Sequence, residues 1–142
     1  MSQLDSNWAF VDDCKETPPK GFLFSGISAG LKASNKKDLA LILAPEGSVF
    51  SGMFTQSIVR ASCVDICEER IKTTSGFARA ILINSGQANA CTGNLGIQHF
   101  QIATGKIADL LGIKEEEVLM CSTGVIGAVS YTHLTLPTKR IV

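Results

Sequence analysis

The chain has 142 residues, of which 45% are hydrophobic and 18% charged, enough for one globular domain with a buried core. Thirteen basic and thirteen acidic side chains give a formal net charge of zero, which argues against nucleic acid or an anionic membrane as a partner. No segment has the apolar length of a membrane span, and the start lacks a signal-peptide pattern, so a cytoplasmic protein is predicted.

The first half of the chain predicts a short lead-in followed by strands. Residues 1–19 are polar and end in two prolines, which favours a flexible segment ahead of a domain over residues 20–127. Apolar runs between turn-forming segments then predict three strands, and Gly30–Lys37 is the expected hairpin connection between the first two. These strands are Gly21–Ile27, Asp38–Leu43 and Val49–Phe54.

The second half alternates helices and strands. Asp65–Lys72 is charged at most positions and predicts a short surface helix, whose acidic residues are most simply a solvated face. Phe77–Ile83 and Val118–Cys121 predict strands. Apolar residues from Leu95 onward recur at helical spacing, and Gly112 stands where a C-terminal glycine cap belongs.

Five cysteines at irregular spacing, without a secretory signal, predict reduced thiols. Cys63, Cys67 and His99 could be imagined as metal ligands, but no CxxC pair is present, so no metal site is predicted. Cys91 is expected to be a small buried filler, because no histidine or basic residue stands where it would activate a nucleophile.

Two segments of small and amide residues, Asn84–Gly93 and Ser122–Gly127, each follow a predicted strand. Neither contains the glycine pattern of a phosphate-binding loop. Tight turns are one interpretation. The other is an oxyanion site, because a threonine hydroxyl and an unobstructed glycine N–H are adjacent at Thr123 and Gly124 and could stabilise charge on a carbonyl oxygen.

The amide side chains of the first segment also allow two interpretations. Asn84, Gln87 and Asn89 could contact a substrate, but short amide side chains commonly bond to their own turn, so shaping the loop is the favoured role.

Several segments, in order from Lys20 to Gly127, resemble the ornithine acetyltransferase family, also called glutamate N-acetyltransferase. The most specific matches are Asn84–Gly93 and Ser122–Gly127. The others are Lys20–Phe22, Gly26–Ile27, Gly30–Lys32, Asp38–Ile42 and Ser51–Gln56.

The resemblance implies an α/β fold of layered sheets and helices, shared with self-processing aminopeptidases and incomplete in this chain. It implies an enzyme of arginine biosynthesis that transfers an acetyl group from N-acetylornithine to glutamate without a cofactor, with acetyl-CoA as a co-substrate in some members. The family precursor cleaves itself, and the freed N-terminal threonine of its β chain forms the acyl-enzyme. Two α and two β chains assemble, and Thr123 and Gly124 correspond to the oxyanion donors.

The sequence departs from this pattern after Gly127. Residues 129–142 look like the in-frame translation of a sequencing-library adapter, so residues 128–142 are predicted to be a non-native tail; a divergent terminal strand is the alternative. The nucleophilic threonine and the family's substrate ligands would then be missing, and the isolated chain is expected to be inactive. A fragment of a self-processing aminopeptidase and a non-catalytic half-protein are the rival interpretations.

Overall fold

The computed structural model describes residues 19–127, so the predicted tail and nearly all of the predicted lead-in lie outside the described residues. The described part is an incomplete α/β layer, as expected: a four-stranded sheet packed with two helices. Its elements are β1 (Leu23–Ile27), β2 (Leu39–Leu43), α1 (Ser62–Thr73), β3 (Ala80–Gln87), α2 (Asn94–Leu111), a 3-10 turn (Glu115–Glu117) and β4 (Val118–Val125).

The strands lie in the order β1-β2-β3-β4, with antiparallel pairing from β1 to β3 and parallel pairing between β3 and β4. The hairpin predicted across residues 30–37 is confirmed by the antiparallel β1–β2 pair. A parallel pair cannot be joined by a tight turn, and α2 supplies the crossover between β3 and β4. The ends of β3 and β4 therefore lie at the same edge of the sheet.

The helix α2 packs on one face of the sheet. Alternate residues of β3, Ala80 and Leu82, are buried there, and Met120 of β4 joins them. On the α2 side, Phe100 and Ile107 are almost fully buried. Gly112 ends the helix in the left-handed conformation at φ 64°, which confirms the predicted glycine cap.

The helix α1 lies along the outer edge of β4. The Cys67 thiol donates to the carbonyl of Met120 and accepts from its N–H, both at 3.3 Å, while Arg70 donates to the carbonyl of Val118 at 2.6 Å. An edge strand leaves such backbone groups without a strand partner, so these side chains satisfy them. The helix is longer than predicted, since it begins at Ser62. Its acidic residues Asp65 and Glu69 are exposed, whereas Cys63, Cys67 and Arg70 are buried.

Arg70 joins three elements at this junction. Its guanidinium also donates to the carbonyl of Glu115 at 2.8 Å and pairs with the Glu115 carboxylate, and it lies 4.7 Å from the centre of the Phe100 ring. Thr104 of α2 donates to the same carboxylate at 3.0 Å. This network connects α1, α2 and the 3-10 turn.

The other face of the sheet is only partly covered by described residues. Phe24 pairs with Ile42, and Ile42 with Ile81, so the three side chains form one apolar row. Phe24 is 53% exposed. Met53 and Ile58, in the irregular segment after the second strand, are fully exposed.

One predicted strand is wrong. Val49–Phe54 forms no strand: Val49 makes a single bridge with Phe77, and the following residues have no ladder partner among the described strands. Phe77 likewise precedes β3, which begins at Ala80 and continues to Gln87. Alternating side chains make a strand only where a neighbouring strand offers hydrogen bonds.

Candidate functional site

The two small-residue segments meet at one end of the parallel pair. Residues 84–87 and 122–125, expected to be loops, instead continue β3 and β4. The register pairs Ser85 with Thr123 and Gly86 with Gly124. Turn-forming residues are overridden here by the hydrogen bonds of a parallel ladder. The structure therefore places the predicted oxyanion residues of β4 directly beside the first segment.

A close backbone approach explains the paired glycines. A Cβ atom built on Gly124 would lie 2.2 Å from the carbonyl carbon of Gly86 and 2.5 Å from the nitrogen of Gln87. The φ angles of Gly86 and Gly124 are 135° and 133°, values that other residues rarely adopt. On the other side of Gly86, a Cβ would meet the carbonyl oxygen of Leu31 at 3.0 Å. Three backbone segments thus converge where no side chain fits.

The segment after β3 is bonded to the end of β4. Ala88 N–H donates to the carbonyl of Val125 at 3.0 Å, and Gly127 N–H donates to the carbonyl of Ala90 at 2.9 Å. The Asn89 amide adds a side-chain bond, donating to Ser122 Oγ at 3.2 Å. These bonds fix the backbone on both sides of Thr123 and Gly124.

The residues predicted as possible substrate contacts or oxyanion donors differ in how far they are exposed. Asn84 and Asn89 are each only 2% exposed, and Asn84 Nδ2 donates to the carbonyl of Gln87 at 2.9 Å. Gln87 is half-buried. Thr123 and Gly124 are exposed. This arrangement favours the loop-shaping interpretation for Asn84 and Asn89.

Asp38 was not singled out from the sequence, yet it organises the connection that reaches Gly86. Its carboxylate is buried and accepts the N–H groups of Ala29 at 2.6 Å and Lys32 at 2.9 Å. Burial alone would raise the pKa of Asp38, but backbone N–H donors from Ala29, Lys32 and Leu31 outweigh it and hold the pKa below its ordinary value of 3.8. A single aspartate after a polar connection gives little sequence signal of this role.

Cys91 contradicts its prediction, because it is exposed rather than a buried filler. It has a positive φ of 57°, and its turn carries it to the rim of an open cleft of about 270 Å³. The cleft lies between the start of α1 and the start of α2, and Arg60 and Asp65, an ion pair at 2.8 Å, also line it.

No cluster of three or more potential metal ligands occurs within residues 19–127. Cys63 and Cys67 are buried free thiols. Burial raises the pKa of the Cys67 thiol despite its bond to Met120, so it remains a neutral packing group. None of the helices in the described range is long and apolar enough to cross a membrane.

The sequence of this chain is similar to proteins of one family. The model of the ArgJ family matches residues 23–137. The "Arginine biosynthesis bifunctional protein ArgJ" of Prochlorococcus marinus subsp. pastoris is 76% identical over 112 residues, which cover 79% of this chain and 28% of that protein. The protein of the same name from Parasynechococcus marenigrum is 56% identical over 124 residues, covering 87% of this chain and 30% of the relative.

Two solved structures share the fold. The crystal structure of ornithine acetyltransferase from Mycobacterium tuberculosis, complexed with ornithine, superposes with a TM-score of 0.74 at 37% identity, covering 78% of this chain and 60% of that one. The structure of the arginine biosynthesis bifunctional protein from Bacillus halodurans gives a TM-score of 0.73 at 34% identity, covering 78% and 56% of the two chains.

The match is partial with respect to the relatives. The chain spans 28% and 30% of the length of the Prochlorococcus and Parasynechococcus proteins. The family match extends to residue 137, into the stretch predicted to be a non-native tail. That stretch lies outside the described residues, and its assignment stays a prediction.

Proposed function

Because this chain belongs to the ArgJ family, we propose that it is part of an enzyme that transfers an acetyl group from N-acetylornithine to glutamate in arginine biosynthesis. The names of its Prochlorococcus and Parasynechococcus relatives support the pathway. The ornithine bound to the mycobacterial acetyltransferase supports the substrate class. The self-processing aminopeptidase and the non-catalytic half-protein have no comparable support.

The chemistry assigned to this chain is stabilisation of the oxyanion by Thr123 and Gly124. The observation that carries this assignment is their placement: both are exposed at the end of an edge strand, and Val125 and Gly127 just after them are hydrogen-bonded to the segment that follows β3. Thr123 is exposed, so a ligand at the end of the strand can accept a hydrogen bond from its hydroxyl. Donors already fixed in position lower the barrier because they need no reorganisation during the reaction.

The direction of the Gly124 N–H supports the same role. The backbone groups of Met120 and Val118 point to the outer edge of β4, where α1 binds them, and the carbonyl of Val125 points inward to Ala88. Successive backbone groups in a strand alternate between the two sides. By this alternation the N–H of Gly124 faces outward, beyond the part of the edge that Cys67 and Arg70 cover.

The remaining parts of the reaction belong to the complete enzyme. The acetyl group would be carried by the N-terminal threonine of a β chain cut from the same precursor, with its own amine as the base. Two α and two β chains would form the cytoplasmic enzyme, with acetyl-CoA as a possible second acetyl donor and no cofactor. The segment described here would contribute the oxyanion donors.

The test is Thr123→Val in the complete enzyme expressed from the full reading frame. Valine keeps the shape of threonine and removes the hydroxyl, so kcat for acetyl exchange should fall by about 100-fold with little change in KM, which corresponds to about 3 kcal/mol for one lost oxyanion donor. Thr73→Val, at the exposed end of α1, is the control. An unchanged kcat would remove Thr123 from the mechanism, and a wild-type enzyme without acetyl exchange would overturn the proposed function itself.

A further inference from the structure

A small cavity lies between the sheet and α2, directly behind the candidate site. Its volume is about 10 Å³, close to the roughly 10–15 Å³ that one water molecule requires. Most of its wall is apolar, and only a few polar side chains reach it. Its lining includes Leu82, Asn84, Asn89, His99, Ala103 and Met120.

Two of the residues that line this cavity have an amide oxygen that needs a donor. Asn84 Oδ1 and Asn89 Oδ1 are buried and accept no hydrogen bond from any residue that the structure describes. The orientation of the Asn84 amide is set by its other end, because the carbonyl of Gln87 can only accept a hydrogen bond, which requires Nδ2 there. Buried polar atoms in folded proteins nearly always have a partner.

The donor must be enclosed together with these residues. Asn84 and Asn89 are each 2% exposed within the described residues alone, so another protein segment could not reach their oxygens without displacing the wall. A water molecule has two O–H groups and can donate to both oxygens at once. It is the smallest neutral donor that matches the volume.

We propose that this cavity holds one buried water molecule bonded to Asn84 and Asn89, and that Asn89 thereby becomes a positioning residue for Thr123 and Gly124. The water would fix one end of the Asn89 amide. The other end donates to Ser122 Oγ, on the residue immediately before Thr123. The positioning role rests on the proposed function, whereas the water site does not.

Hydrogen bonds to the backbone of Asn89 and its neighbours also hold the residue in place beside β4. Thr92 Oγ1 donates to the Asn89 carbonyl at 3.2 Å, and the flanking residues Ala88 and Ala90 bond to the end of β4. Asn89 itself has a φ of 50°, a left-handed conformation that asparagine tolerates better than most residues. The side chain is therefore held at both ends, and its backbone is fixed in register with β4.

The first experiment is a diffraction structure of the complete wild-type enzyme at a resolution that reveals ordered water. The expected result is one density peak within hydrogen-bonding distance of Asn84 Oδ1 and Asn89 Oδ1. An empty cavity, or protein donors turned onto both oxygens, would overturn the water site. This measurement needs no variant and does not depend on the reaction catalysed.

The second experiment is Asn89→Gly in the same enzyme, with Asn35→Gly as a matched control. Both asparagines have a φ of 50°, so glycine relieves the same backbone strain at each, but Asn35 is exposed in the β1–β2 connection. We expect kcat for acetyl exchange to fall at least tenfold at Asn89 with KM nearly unchanged, because a displacement of about 1 Å can cost about 100-fold. The control should retain wild-type kinetics.

The outcomes separate the two proposals. A wild-type enzyme without acetyl exchange contradicts the proposed function, and the diffraction result still decides the water site. An active wild type whose Asn89→Gly variant keeps its kcat overturns the positioning role. If that variant fails to fold, Ser122→Ala removes only the acceptor of the Asn89 amide and must lower kcat while leaving KM unchanged.

Discussion

Replacing Gly124 with alanine should separate the ends of β3 and β4. The new Cβ would lie 2.2 Å from the carbonyl carbon of Gly86 and 2.4 Å from its oxygen, and contacts of this kind must open by about 1 Å to become tolerable. The atoms opposite are backbone, so no side chain can rotate away. We expect a loss of about 1–3 kcal/mol in the free energy of unfolding from strain and overpacking.

Gly127→Ala is the appropriate control for this substitution. Gly127 also has a positive φ, 79°, but a Cβ there would meet no atom of residues 19–127 within 4 Å. Its cost is therefore limited to the left-handed backbone, about 1–2 kcal/mol. A comparison of the two variants separates the steric clash from the conformational penalty common to both.

Hydrogen exchange is the decisive assay, because it reports the affected bonds directly. The N–H of Ala88, bonded to Val125, and the N–H of Gly127, bonded to Ala90, connect the two segments. In Gly124→Ala both amides should exchange faster than in wild type, while amides in the middle of α2 stay protected. If Gly124→Ala and Gly127→Ala give the same exchange at Ala88, the close approach of Gly86 and Gly124 is not a real constraint.

Two further variants test side chains that stabilise this sheet and its connections. Arg70→Met should lower the free energy of unfolding by about 1–3 kcal/mol in urea denaturation, because it leaves the buried carbonyl of Val118 without its side-chain donor and removes a cation over an aromatic ring. Lys72→Met, which removes an ion pair with Glu68 at the surface of the same helix, should change stability little, and equal effects would contradict a structural role for the network. Asp38 has a lowered pKa in the folded protein, so its contribution is present above its unfolded pKa and disappears as the pH falls through the folded value. Asp38→Asn should therefore reduce the free energy of unfolding at neutral pH and weaken its decrease below about pH 4. If the variant and the wild type instead lose stability in parallel as the pH falls, the Asp38 carboxylate does not contribute to the pH dependence.

Local patterns in the sequence predicted the elements that depend on neighbouring residues. The helical periodicity after Leu95 and the cap at Gly112 gave α2 almost to its boundaries, because an amphipathic helix and its cap are encoded within a few turns. β1 and β2 followed from short apolar runs flanking a polar connection. The strand predicted at Val49 failed because its one bridge partner, Phe77, begins no ladder.

Local sequence patterns did not predict the features that depend on residues far apart in the chain. Arg70 lies in a segment predicted only as a surface helix, but it is buried against residues 30 to 48 positions further along the chain. The small residues around Gly86 and Gly124 suggested loops, although their size allows two strands to approach closely. For the site, Thr123 and Gly124 were identified by resemblance, whereas the role of Ser122 and the cavity behind it required the three-dimensional pairing.

The register between β3 and β4 makes the geometry of the site sensitive to the number of residues that separate them. A slip of β4 by one position would turn Thr123 toward α2 and bring Ser122 to the opposite face, because strand side chains alternate. Substitutions within the crossover leave the number of residues between β3 and β4 unchanged. An insertion or deletion of one residue changes that number and can shift the register of the ladder. The α2 crossover therefore acts as a spacer of fixed length, and its residue count is part of the information that specifies which side of the sheet carries the donor hydroxyl.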